Sequence, residues 1–363
     1  MRLGINLVPE DCARTAQEAE RLGFDVAAAP EGFRSDAISV LGWVAARTTR
    51  IGLLSTVIQI PARTPVAMAL AAATLDGLSG GRFRLGLGIS NSHVTEGWHG
   101  APFARPLART REYVDVVRRV LAQEPVTYEG RHYALPLPGS DAGPFRLPGP
   151  VRRDLPVYLA AVGTRGLELT GEIADGWVGV FCTPEHTKRA LDALHTGRRR
   201  AGREKDGFDA FLSAPAAVGE DVEAAAAPIR PYVARFMSLG DRESNFYFRL
   251  AAQMGYAAAA EEVQDRFQAG DATGAARAVP LEFIDSTSLL GPPARIARRL
   301  TEYAAAGITT LGISPYADTT EARIAVMETV ARAHREAGLP GTTTGMPGGD
   351  GVPAATGRPG REG

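Results

Sequence analysis

IGLLSTVIQIPARTPVAMALAAATLDGLSGGRFRLGLG, residues 51–88, sets an apolar run, a longer segment of helical period and a second apolar run in immediate succession. IGLLSTVIQI has the length and β-branched content of a strand, and PVAMALAAATLDGLS reads as the helix behind it. Ser79, Gly80 and Gly81 end that helix, with Arg82 placed to bind its last carbonyls. RFRLGLG is then the next strand. Strand, helix and strand in this order make one unit of a parallel sheet.

The same alternation extends in both directions. LGINLV (3–8) and FDVAAAP (24–30) precede it as strands, each followed by a helix, CARTAQEAERLG (12–23) and AISVLGWVAARTT (37–49). Beyond it come the helix RPLARTREYVDVVRRVLAQ and the strands PVYLAAVG, DGWVGVF, FDAFLSAPAAVG and GITTLGISP, closed by the helix EARIAVMETVARAHREAG. Eight strands with intervening helices predict an α/β chain folded as a closed (β/α)8, or TIM, barrel. Two stretches exceed a minimal barrel. Residues 123–154 hold an apparent hairpin around TYEGRHY, an insertion after strand four. About 220–293 is expected to be a largely helical insertion after strand seven, since loops of such length are usually lids or interfaces. One domain is expected over residues 1–339, and a disordered Gly/Pro/Thr-rich tail over 340–363.

Composition excludes several classes. Of 363 residues, 45% are apolar, enough for a large core, and 40 basic side chains balance 41 acidic ones. Nothing draws the whole chain to nucleic acid or to a membrane surface. The two cysteines, Cys12 and Cys182, match neither a disulfide framework nor a metal-ligand spacing. MRLGINLVPED meets acidic residues where a signal peptide would still be apolar, so a cytoplasmic enzyme is expected. No serine-nucleophile elbow, HExxH, CxxC or Walker loop occurs, and no metal site is expected.

In a barrel of this kind chemistry collects just past the strand ends. VGTRG, after strand five, can bind an anion: Gly163 admits a close approach, Thr164 can cap the helix and Arg165 adds charge. The other reading is an ordinary Thr-capped helix with a solvent-facing arginine. After strand four, GLGISNSHVTEGWHG gathers Ser90, Asn91, Ser92, His93, Glu96, Trp98 and His99. Glu31, ending strand two in APEGF, could orient a ring or shuttle a proton, or could instead pair with Arg34 or a neighbouring helix.

The blocks at residues 35–88, 96–114, 127–136, 156–177 and 288–313 together resemble, in order, the bacterial luciferase-like flavin/deazaflavin superfamily. They resemble most its coenzyme F420-dependent branch, which includes methylene-tetrahydromethanopterin reductase. The resemblance implies a bulge in strand three with a non-proline cis peptide behind the cofactor ring, at Thr56–Val57 or one residue earlier. It implies a phosphate grip at Val162, Gly163, Thr164 and Arg165. It implies cofactor contacts from Gly88, Ile89, Ser90 and His93, and Asn6 beneath the ring. Phe33, Glu96 and Trp98 would line the substrate pocket. Many members carry a histidine after strand two, where this chain has Glu31, Gly32 and Phe33. Glu31 inherits that position, and His93 becomes the alternative proton donor.

The resulting expectation is an F420-dependent oxidoreductase that moves a hydride to or from a small organic substrate, reducing a polarised C=N or C=C bond. An FMN-dependent monooxygenase is the rival, and a flavin-binding paralogue without chemistry a second one. The resemblance also implies a homodimer packed through the second and third helices.

Overall fold

The computed structural model of the chain describes residues 1–32, 34–205 and 207–339. Eight parallel strands form the ring: β1 (Arg2–Asn6), β2 (Val26–Ala29), β3 (Gly52–Ser55), β4 (Phe83–Gly88), β5 (Val157–Ala160), β6 (Gly176–Val180), β7 (Asp209–Val218) and β8 (Thr310–Pro315). Each pairs with the next, and β8 closes on β1 with Arg2 opposite Thr310 and Ile5 opposite Ile313. The strands are buried on both faces, so their sequences are continuous apolar runs with no alternation. The Gly/Pro/Thr-rich segment 340–363 lies outside the described residues.

Around the ring run α1 (Cys12–Leu22), α2 (Ala37–Ala45), α3 (Pro65–Leu78), α4 (Pro106–Leu121), α5 (Thr164–Ile173), α6 (Pro184–Arg200), α7 (Pro293–Ala305) and α8 (Thr320–Glu336). Thr64 caps α3 by accepting from the Ala67 amide, and Pro65 occupies its first turn. Arg82 joins the ends of two helices, donating to the carbonyls of Ser79, Ala45 and Thr48.

Glycine makes room in the barrel interior for two large rings. A β-carbon on Gly312 would fall 2.3 Å from the Phe211 ring, and one on Gly176 2.4 Å from Tyr158. Below them, Asp209 is 1% exposed and pairs with Arg2 at 2.8 Å. It also accepts from the Tyr158 hydroxyl at 3.0 Å and from Thr310 at 2.8 Å. A buried carboxylate is tolerable only when its oxygens are satisfied in this way. Polar pairing and packed rings fill the N-terminal end of the barrel, which leaves the C-terminal end for binding.

The hairpin (Tyr128–Glu129 with Ala134–Leu135) follows α4 and so precedes β5 from the helix side. The chain after β7 runs through six α-helices, with a 3-10 turn and a π turn among them, between Val222 and Ser286. These share an apolar core that includes Ile229, Val233, Met237, Phe248 and Phe283. The core also takes in Phe181, Val162, Val180 and Tyr316, all at the C-terminal ends of barrel strands. The helices therefore rest on one side of the mouth. One strand has no counterpart in the sequence reading: Leu289–Gly291 pairs with Ala216–Val218 of β7 and widens the sheet. Three residues embedded in a helical stretch carry too little periodicity to mark a strand.

Candidate functional site at the barrel mouth

Strand three breaks where it reaches the mouth. Leu54 lies opposite Arg84 and Ile58 opposite Leu87, so four steps on one side match three on the other. This is a one-residue β-bulge, and the Thr56–Val57 peptide within it is cis. Ser55 bridges the gap, its hydroxyl donating to the Gly86 carbonyl at 2.9 Å and accepting from the Gly86 amide at 2.8 Å. The bulge carries Val57 across to the next strand. A β-carbon on Gly88 would sit 2.5 Å from Val57 Cγ2 and 3.6 Å from the Ala160 side chain. Val57, Gly88 and Ala160 thus form a flat apolar floor over the ends of β3, β4 and β5.

From that floor β5 continues into Val162 and Gly163. Gly163, not Thr164, is the N-cap of α5, and Thr164 is the first helical residue. The expectation that Thr164 caps the helix is corrected: no side chain caps this end. Gly163, Thr164 and Arg165 are all exposed. An uncapped ten-residue helix presents free amides and the positive end of its dipole, which suit an anion. Thr56 and Gly163 stand at the same end of the barrel, two strands apart.

The chain after β4 turns through Ser90, whose φ is +58°, into a short helix, Ser92–Gly97, capped by Asn91. His93 is exposed on it, beside Gly240 of the helical cover, and Ser92 Oγ lies 3.3 Å from Ser244 Oγ. Ile89 is half-buried next to the floor. Glu96 accepts from the Phe103 amide at 3.0 Å, so its carboxylate serves its own loop. Asn6, at the end of β1, donates to Ser314 Oγ at 3.0 Å and to the Gly312 carbonyl at 3.3 Å. It spans the opposite side of the mouth.

Glu31 does not pair with Arg34, which goes to Glu10 at 2.5 Å. Its partner is Arg63, whose Nη1 lies 2.9 and 2.8 Å from the two carboxylate oxygens. The other Arg63 nitrogen binds Asp36. Gln59 donates its amide to Glu31 and receives His99 Nε2 on its side-chain oxygen at 2.7 Å. These groups line an open cleft of about 360 Å³ together with Trp98, which is 43% exposed. Phe33 lies outside the described residues.

Thus the mouth brings together Thr56, Val57, Gly88, Ile89 and Val162–Arg165. Glu31 and Trp98 share the adjoining cleft, and His93 stands at the seam with the cover. Arg63 and Asp36 escaped the sequence reading, and His99 stood in it only as one of the polar groups after strand four. Arg63 sits in an ordinary strand-to-helix turn, and only its partner, 32 residues earlier, distinguishes it.

The sequence profile of the luciferase-like monooxygenase family matches residues 5–310. The chain is 39% identical over 329 residues to a Mycobacterium tuberculosis protein named as a coenzyme F420-dependent oxidoreductase, covering 86% of this chain and 95% of that one. It is 29% identical over 314 residues to a 5,10-methylenetetrahydromethanopterin reductase of Archaeoglobus fulgidus, covering 85% and 92%. Among solved structures, the F420-dependent tetrahydromethanopterin reductase of Methanopyrus kandleri shares the fold, with a TM-score of 0.78 at 24% identity over 92% of this chain and 97% of that one. The protein is a (β/α)8-barrel oxidoreductase. It belongs to the luciferase-like monooxygenase family. Among the described residues no helix is long and apolar enough to cross a membrane.

Proposed function

We propose that this chain is an F420-dependent oxidoreductase that reduces a polarised C=N or C=C bond in a small organic substrate. The observation that carries the reading is the floor of Val57, Gly88 and Ala160, from which β5 runs on into an uncapped helix start at Gly163. A flat apolar surface beside a cluster of free amides fits a planar ring with an anionic tail. Bound F420 would supply two electrons as a hydride from a single ring carbon.

The chain's own residues would hold and orient the reactants. Val57, Gly88, Ile89, Ser90 and Asn6 would hold the ring at the mouth. Gly163, Thr164 and Arg165, with Val162 leading into them, would hold an anionic tail. Reduction adds a hydride at the electrophilic carbon and a proton at its neighbour. Both oxygens of Glu31 are engaged by Arg63, so His93 is assigned the proton and Glu31 the positioning of the cleft wall. The helical cover, touching the Ser92–Gly97 helix, excludes water. The reading also places the protein in the cytoplasm as a homodimer through α2 and α3, where Trp43 and Leu70 are exposed.

Single turnover with F420 deuterated at its hydride-bearing carbon tests the reading. Deuterium carried directly into a reduced enone or cyclic imine is expected. Turnover with reduced FMN that places an oxygen atom in the product would establish the monooxygenase reading instead.

A further inference from the structure

Buried tyrosines in this protein generally place their hydroxyls. Tyr158 donates to Asp209, Tyr113 to the Arg63 carbonyl at 3.1 Å, and Tyr303 to the Cys182 carbonyl at 2.8 Å. Five half-buried ones do not, and of these Tyr133 lies apart beside Tyr113 and Tyr256 beside Phe283. Tyr232, Tyr247 and Tyr316 are half-buried, and among the described residues none of their hydroxyls has a hydrogen-bond partner. They also escape the set of sealed, unsatisfied polar atoms, so the hydroxyls reach space.

The three share one aromatic surface. Tyr232 packs 4.9 Å from Phe236 and 6.1 Å from Tyr316, while Phe236 meets Tyr247 edge-on at 5.0 Å, all centroid to centroid. Phe181 underlies them. Val162, Val180 and Tyr316 tie this surface to the ends of β5, β6 and β8, so it borders the mouth from under the helical cover. Burial pushes the Tyr247 phenol up to about 12, and Tyr232 and Tyr316 upward as well, so all three stay protonated and can donate. Among the described residues, the charged or titratable groups acting on these phenols are one another and the thiol of Cys182.

We propose that the face formed by Tyr232, Tyr247 and Tyr316 is the substrate subsite, and that it takes an uncharged, planar acceptor whose carbonyl or ring-nitrogen atoms receive hydrogen bonds from the three hydroxyls. The assignment rests on the reading of the barrel mouth as the reacting site. An aromatic wall favours stacking of a flat ring, and unpaired phenols reward an acceptor atom and nothing anionic beyond it. Sugar phosphates and carboxylates gain nothing from three neutral phenols that a neutral acceptor lacks.

Coumarin, a neutral planar lactone with a conjugated C=C bond, is a suitable probe. Its titration into the cofactor-free protein by calorimetry would run beside coumarin-3-carboxylate and glucose 6-phosphate. Coumarin is expected to bind at least about tenfold tighter than either anion. Tyr232→Phe and Tyr316→Phe should each weaken it by about three- to tenfold, the worth of one hydrogen bond, with Tyr128→Phe on the distant hairpin as a silent control. Circular dichroism reports whether each variant folds, and Tyr247→Phe replaces any that does not. Absent coumarin binding, equal or tighter binding of an anion, or folded variants with wild-type affinity would each overturn the proposal. F420 is absent from the titration, so a protein that binds F420 but not coumarin loses the subsite alone, and one that binds coumarin but not F420 loses the cofactor reading alone.

Discussion

Val57 occupies the space into which a side chain at Gly88 would project, with a β-carbon there falling 2.5 Å from Val57 Cγ2. The bulge in β3 and the glycine at the end of β4 are two halves of one surface. Neither position can change without the other.

Gly88→Ala should therefore displace Val57 and roughen the floor. Overpacking of this kind costs about 1–3 kcal/mol. F420 affinity is expected to fall by about tenfold, while the far-UV circular dichroism spectrum stays that of the wild type. Fluorescence titration of F420 against both proteins checks this.

His93 tests the proton assignment. His93→Gln keeps the size and polarity of an exposed helix residue but removes the transferable proton. With F420 affinity held, kcat should fall by about 10²-fold, the usual contribution of a positioned acid. Unchanged kcat would return the proton to Glu31 or to His99 in the adjoining cleft.

Arg63 holds two carboxylates from the chain after β2. Glu31 is only 10% exposed, so removing its cation strands a nearly buried charge. Arg63→Ala should cost about 1–3 kcal/mol in stability. Urea denaturation measures the loss, and Arg63→Ala combined with Glu31→Gln should recover part of it, because the stranded charge goes with it.

Acid stability has one traceable source in His334. Burial lowers its pKa from 6.5, and its Nε2 lies 2.7 Å from the Met1 carbonyl; the chain's amino terminus, Asp25 and Arg335 act on it. Between the folded and unfolded values the unfolded chain binds the extra proton, so the contribution of His334 is full above about 6.5 and is lost as pH falls toward the folded value. As pH falls from 7.5 to 5.5, denaturation midpoints should therefore drop more steeply for the wild type than for His334→Gln.

The strands of the barrel were legible because burial on both faces writes them as unbroken apolar runs, from LGIN at β1 to TLGISP at β8. The helix start after β5 was legible because Gly163, Thr164 and Arg165 are consecutive in the chain, although the cap fell one residue earlier than Thr164. What stayed hidden depends on contacts across distance. Arg63 gains meaning only from Glu31 and Asp36, and the partner of His99, Gln59, is 40 residues away from it in the chain. Tyr232, Tyr247 and Tyr316 come from three separate segments that meet only through the cover. The short strand Leu289–Gly291 exists because β7 is long enough to pair beyond the ring.

The most direct measurement is a parallel titration of the purified protein with oxidised F420 and oxidised FMN, followed by fluorescence. Saturable binding of F420, at least about tenfold tighter than FMN and weakened by Arg165→Ala, is the predicted result. Tighter binding of FMN, or F420 binding indifferent to Arg165→Ala, would contradict the placement of a deazaflavin between Val57 and Gly163.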